Sequence, residues 1–398
     1  MRIGPTERAE HLTYCTNIHA GETWDEIFSR LRMHLPAVKS AASADADLGV
    51  GLRLSAIAAE ELVEPETLAE FKAFLDDGSY YVFTINGFPY GPFHGQRVKE
   101  QVYQPDWSHE ERLVYSDRMA DLLSSLLPDG MAGSISTVPG TFKPLASEPG
   151  MVERITDYIL RHVAKLVEVE QSTGKTIALA LEPEPCCFLE TIDETVAYFE
   201  NNLFSSDACR RLSGLSGLSS SAADAALRRH LGVCYDVCHA AVEYEDPAGS
   251  IGALNAAGIA IPKVQLSAAL RIPDVTADVE ETLAGFAEPV YLHQVIERGG
   301  GDLVRYLDLP EALEALDQAI GREWRVHFHV PIFLDELQHF STTQDFLKEI
   351  LALHRKRPIA KHLEVETYTW DVLPERYRGV DVSTAIAREL NWVRKELS

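Results

Sequence analysis

The chain has 398 residues and a formal net charge of −25, from 61 acidic and 36 basic side chains, with 46% apolar and 24% charged residues. That balance suits a large soluble fold. It lacks the basic stripe with which a nucleic-acid binder displaces counterions, since its densest basic run is only His354–Arg357. No stretch reaches the ~18 apolar residues of a membrane span, and the polar residues from Met1 to Glu10 hold no apolar signal core. A cytosolic protein with no nucleic-acid partner and no membrane insertion is expected. The cysteines at 15, 186, 187, 209, 234 and 238 show no zinc-ribbon or redox spacing and read as reduced core or lining thiols.

In chain order, short runs rich in Val, Ile, Thr and Tyr alternate with longer amphipathic stretches. Strands are predicted at 11–18, 49–55, 80–86, 133–138, 176–182, 231–237, 262–267, 325–330 and 361–367. Thr23 with Glu26, and Thr191 with Glu194, form capping boxes that open helices, and Ser108 to Glu111 reads as a third. Further helices are expected over 64–77, 150–172, 343–355 and 383–397. The Ser/Gly-rich segment 213–226 reads as a surface loop or frayed helix. The segment 289–307, with Gly299-Gly300-Gly301 at its centre, reads as a hairpin.

Repeated strand–helix units imply parallel βα architecture. No G-x-G-x-x-G follows a strand, which removes the main support for a dinucleotide-binding open sheet. The expectation is one (β/α)₈ TIM-barrel domain over 1–398, with a hairpin insertion on the rim before the last strands and a C-terminal helix over 383–397. Active groups of such barrels lie at the C-terminal strand ends.

Those ends carry the candidates. Glu182 closes the 176–182 run, and Glu184 follows between two prolines. Asp236 ends the 231 strand, with His239 beyond it; an Asp helix cap with a nearby His is the structural alternative. Gln265 interrupts an apolar strand and needs a partner, or ligates a metal through its carbonyl oxygen. His327 and His329 share one strand face. Glu366 ends the last strand, while Glu364 lies deeper and would need a partner such as His362 or Arg53. Buried carboxylates repel severely unless a cation lies between them, so the conjunction predicts a divalent-metal site. The metal set is Glu182, Asp236, Gln265, His327, His329 and Glu366. The earlier strand ends offer hydrogen-bonding groups among aromatic ones: Asn17, His19, Arg53, Asn86 and His94, the last in the loop NGFPYGPFHG. With Glu184 and His239 these suggest a wall for a polyhydroxy ligand. There is no P-loop and no G-x-S-x-G elbow.

In this arrangement the chain resembles the xylose isomerase-like TIM barrels, whose members share a strand-five Glu, a strand-six carboxylate followed by His, a strand-seven ligand and a strand-eight acid. The runs HLTYCTNIHAGETW, NGFPYGPFHG, LEPEPCCFLET, YDVCHAAVEYED and HLEVETYTWDVLP look like the EboE family of metabolite traffic proteins. Gln265 stands where the epimerases and endonucleases of the superfamily usually have His. His327-x-His329 stands where isomerases have carboxylates. Both departures lower the negative charge and favour one borderline metal, Zn or Mn, over a pair of Mg ions; Fe or Co would also suit imidazole.

The resemblance implies a metal-dependent isomerase or epimerase for a sugar, sugar phosphate or related polyol, tied to secondary-metabolite biosynthesis or traffic. Glu182 and Glu366 would be its acid/base pair, and His239 would orient a substrate oxygen. The other reading is a non-catalytic, metal-containing carrier of a small metabolite. A nuclease or phosphatase is disfavoured by charge. A homo-oligomer is compatible with the sequence.

Overall fold

A computed structural model describes residues 1–4, 10–95, 97–337 and 339–398. Eight parallel strands form the barrel: β1 Glu10–Tyr14, β2 Leu48–Arg53, β3 Tyr80–Asn86, β4 Gly133–Thr137, β5 Ile177–Leu181, β6 Leu231–Asp236, β7 Ala260–Leu266 and β14 His362–Val365. They follow one another from β2 to β7, then β14 and β1. The ring closes between β1 and β2 through a parallel bridge at Cys15 and Gly51. Threonine side chains reinforce that seam: Thr13 Oγ1 donates to Gly49 O at 2.7 Å and accepts from Gly51 N–H at 2.9 Å, and Thr16 Oγ1 accepts from Arg53 N–H at 2.8 Å.

Between β7 and β14 the chain builds a second sheet. Its strands are β8 Ala269–Ile272, β9 Val295–Gly299, β10 Asp302–Tyr306, β11 Glu323–His329, β12 Glu336–Leu337 and β13 Phe340–Thr342. All pair antiparallel. The expected hairpin is β9–β10, turning on Gly300 and Gly301 at φ 65° and 97°, where only glycine is unstrained. The insertion is larger than that hairpin. It also contains the run at 325–330, predicted to be a barrel strand. Alternation along Val326, His327, Phe328 and His329 fixes which side chains share a face, but not whether the partner runs parallel or antiparallel.

Both threonine capping boxes form as predicted. The third does not: the helix Glu110–Leu126 starts at His109 with no side-chain cap, and Ser108 instead bonds Asp106. The segment 213–226, expected to be a surface loop or frayed helix, falls mostly within two helices, Ser206–Ser216 and Ser220–His230, because Gly217 takes a left-handed cap and Ser219 caps the next turn. The C-terminal helix runs Val382–Leu397.

The barrel interior is partly polar. Lys263 Nζ lies 2.5 Å from Glu364 Oε2, with both side chains fully buried, and donates to Ser136 Oγ at 3.2 Å. Lys263, not His362 or Arg53, is therefore the partner of Glu364; His362 Nδ1 instead bonds Ser134 Oγ. Room for that carboxylate comes from Gly51, where an added Cβ would sit 2.0 Å from Glu364 Oε1 and 2.6 Å from Tyr14 O. Gly51→Ala is therefore expected to destabilise the protein by about 1–3 kcal/mol, the usual range for overpacking. Chemical denaturation checks this, and unchanged stability would contradict it.

Candidate metal centre

Parallel strands end on one side of the barrel, so β5, β6 and β14 deliver their terminal acids to a common rim. One oxygen each from Glu182, Asp236 and Glu366 lies within 4.8 Å of the others, and all three residues are buried. Asp236 caps the short helix Val237–Val242: its Oδ1 accepts from His239 N–H at 3.0 Å and from Ser267 Oγ at 2.8 Å. The cap and the metal-ligand reading coexist, because Asp236 Oδ2 remains. That oxygen and Glu182 Oε2 are buried without a hydrogen-bond partner among the described residues. Glu366 Oε1 accepts both amides, Asn17 Nδ2 at 2.7 Å and Asn86 Nδ2 at 3.1 Å.

Three imidazoles stand beside the acids, and their outer nitrogens are pinned. His239 Nδ1 donates to Pro183 O at 2.9 Å, and His329 Nδ1 to Glu366 O at 2.9 Å. His327 Nδ1 lies 2.7 Å from Gln294 Oε1. Gln294 Nε2 faces Pro185 O at 3.2 Å and Tyr103 Oη at 2.9 Å, which fixes the amide's orientation. Each ring thus donates from Nδ1 and presents Nε2 inward. His239 Nε2 and His327 Nε2 nevertheless face each other at 3.1 Å, and His329 Nε2 is buried with no partner. Two lone pairs at that separation repel unless a cation or proton lies between them. Imidazoles held by an outer hydrogen bond with Nε2 presented inward are how proteins prepare histidine for metal.

Donor atoms from Glu184, His239 and His327, and from Asp236, His239 and His329, meet the same 4.8 Å condition. The carboxylate group and the histidine groups therefore adjoin, with Asp236 belonging to both. These residues fit a divalent cation. Burial drives the carboxyls of Glu182 and Glu366 well above the ordinary range, and the neighbouring negative charge adds to it. Burial lowers His329 to about 4, which keeps it neutral.

A raised carboxyl means that the metal-free folded protein holds protons the unfolded chain has lost. Metal-free stability is then highest below the ordinary glutamate value of 4.5 and falls as pH rises toward the raised values. Saturating metal should flatten that fall by taking the protons' place. Thermal unfolding across pH, with and without metal, checks this; a metal-free protein that gains stability from mildly acid to neutral pH would contradict it.

The site opens onto a cavity of about 50 Å³, room for a few waters. Its lining includes Asn17, Asn86, Glu182, Glu184, His239, His327 and Glu366, with Phe88, Phe93, Tyr103, Tyr291 and Tyr368. Phe93, Tyr291 and Tyr368 form an aromatic triangle with ring centroids 5.1, 5.3 and 5.1 Å apart, drawn from the loop after β3, the insertion and the segment after β14.

Three expected wall residues lie elsewhere. Arg53 is consumed by Gly21 O at 2.7 Å, Gly91 O at 2.9 Å and Glu22. His19 bonds Tyr14 Oη at 3.0 Å and stacks on His34. His94 lines an outer groove with Glu22, Asp25 and Arg30. Gln265 is level with Asp236 and Glu364, but its Oε1 accepts from the Cys234 thiol at 3.0 Å, while Nε2 has no partner among the described residues. Turned over about its last torsion, the amide would bring its oxygen to that vacant side. The sequence reading leaves out Lys263, although it shares a strand face with Gln265, and also Gln294, Tyr103 and Tyr291, for which no motif or strand end gives a signal.

No protein-family model matches the chain, and no curated protein matches it in sequence. Among solved structures it is similar to an L-ribulose 3-epimerase, at 12% identity over 98% of this chain and 94% of that one, with a TM-score of 0.48. A D-tagatose 3-epimerase-like protein gives 12%, 97%, 98% and 0.46. The IOLI protein, solved with a bound zinc atom, gives 12%, 97%, 97% and 0.45. Identity at this level transfers no residue's role.

Proposed function

We propose that this chain is a metal-dependent isomerase or epimerase for a small, uncharged polyol or sugar-like metabolite, serving secondary-metabolite biosynthesis or traffic. The observation that carries the reading is the pair Glu182 and Glu366, two buried carboxyls of raised proton affinity meeting Asp236 at the edge of an aromatic-lined cavity. A divalent cation held by Glu182, Asp236 and Glu366, with Gln265 and the histidines adjoining, would polarise two neighbouring substrate oxygens and acidify the C–H between them.

The remaining work belongs to the side chains. With the metal bound, Glu182 and Glu366 would take and return the carbon-bound proton as carboxylates. Asn17 and Asn86 hold Glu366 by one oxygen and leave the other to exchange the proton. His239 presents Nε2 toward the cation or a substrate oxygen. The aromatic triangle excludes water from the intermediate.

Phosphorylated substrates fit poorly. Lys99 is the one cationic side chain lining the cavity among the described residues. Its Nζ is bound to Asp308 Oδ2 at 2.5 Å and Glu288 O at 3.3 Å.

The test is solvent-hydrogen exchange. Metal-loaded protein incubated in D₂O with neutral ketoses, aldoses and cyclitols should wash deuterium into one carbon adjacent to an oxygen-bearing carbon of a ligand that binds. A ligand that binds tightly yet exchanges nowhere would overturn catalysis and leave the carrier reading.

A further inference from the structure

We propose that Cys238 is a metal ligand, completing with His327 and His329 a thiolate-bearing cation position beside the carboxylates. The inference rests on the metal-centre reading above and adds to it the softness of one position.

Cys238 is fully buried near the start of the short helix that Asp236 caps, and its backbone N–H donates to Ser267 Oγ at 2.8 Å. The helix start is thus fixed twice, by Asp236 and by Ser267, which itself bonds Asp236. This brings the Cys238 sulfur, a nitrogen of His327 and a nitrogen of His329 within 4.8 Å of one another. Around zinc, with metal–sulfur near 2.3 Å and metal–nitrogen near 2.0–2.1 Å, tetrahedral donors stand roughly 3.5 Å apart. A contraction of about an ångström closes the three donors onto one ion.

The histidines supply the independent evidence. His329 is 1% exposed, its Nδ1 is spent on Glu366 O, and its Nε2 has no partner among the described residues. His327 is held in the same sense by Gln294. Cys234, also buried, gives its thiol to Gln265, so the two thiols are not equivalent. Behind Cys238 stand Val242, Ala269 and Ile296, an apolar backing that shields a metal–sulfur bond from water.

The donor chemistry then divides the centre. Thiolate with imidazole selects zinc or cobalt(II) over magnesium, whereas carboxylates accept harder ions. Binding forms one sulfur–metal bond and releases the thiol proton to solvent, with no change of oxidation state.

Cobalt(II) added to the chelator-stripped full chain reads this directly. The wild type should show an intense near-ultraviolet thiolate-to-cobalt band, and Cys238→Ser should lose that band while still binding cobalt at the carboxylates. Cobalt uptake without the band would overturn the Cys238 assignment and leave the metal-centre reading standing. No uptake at all would overturn both. A band that persists in Cys238→Ser would overturn the assignment in favour of another thiol. Should the variant not fold, X-ray absorption of the zinc-loaded wild type decides: a sulfur neighbour at about 2.3 Å supports the proposal, and a shell of nitrogen and oxygen alone overturns it.

Discussion

Replacing Lys263 by Met is expected to destabilise the protein by about 3–5 kcal/mol, the usual cost of breaking a buried ion pair from one side. Lys263 and Glu364 are both fully buried and 2.5 Å apart. Without the ammonium, Glu364 keeps its desolvation penalty and loses its partner, close to Asp236, whose charge adds to burial in raising the carboxyls of Glu182, Glu364 and Glu366. The double replacement Lys263→Met with Glu364→Leu removes both charges and should recover most of the loss, because buried pairs are often no better than apolar residues of similar size. Urea unfolding of the metal-free proteins measures both. A single variant as stable as the wild type, or a double variant worse than the single, would contradict the pairing.

Asp236→Ala should have the largest effect on metal. Asp236 alone belongs to both the carboxylate group and a histidine group, so its removal weakens both at once. Gln294→Leu removes the outer hydrogen-bond partner of His327 and should lower affinity by about 10–100-fold, the range for such a loss. Asp236→Ala should exceed that. Equilibrium dialysis against zinc or manganese gives both values. Equal metal content in wild type and Asp236→Ala would refute the ligand assignment.

Much of this was legible in the sequence because barrel geometry converts chain position into spatial position. An acid that ends a parallel strand must arrive at the common rim, and Glu182, Asp236 and Glu366 did so. His327 and His329 reach the same place by another route. Their strand belongs to the antiparallel insertion, and the alternation that put both rings on one face is common to either kind of sheet. What period and spacing do not encode is the outer layer. Gln294 reads as one more residue of the predicted hairpin, yet it determines which nitrogen of His327 is free. Arg53 and His94 lie at the right strand ends but are turned away, Arg53 by two backbone carbonyls that need a donor. For segment 213–226 loop and frayed helix stay open in the sequence because its small residues suit both loops and helix ends; a turn at Gly217 separates the two helices.

The central claim is that buried carboxylates and converging imidazole nitrogens hold a divalent cation. Titrating zinc or manganese into the chelator-stripped wild type by calorimetry, in two buffers of different ionisation enthalpy, tests it most directly. Saturable binding with proton release is expected, since the raised carboxyls of Glu182 and Glu366 must release their protons to the buffer as the metal binds. Absence of binding, or binding that releases no proton near neutral pH, would contradict it.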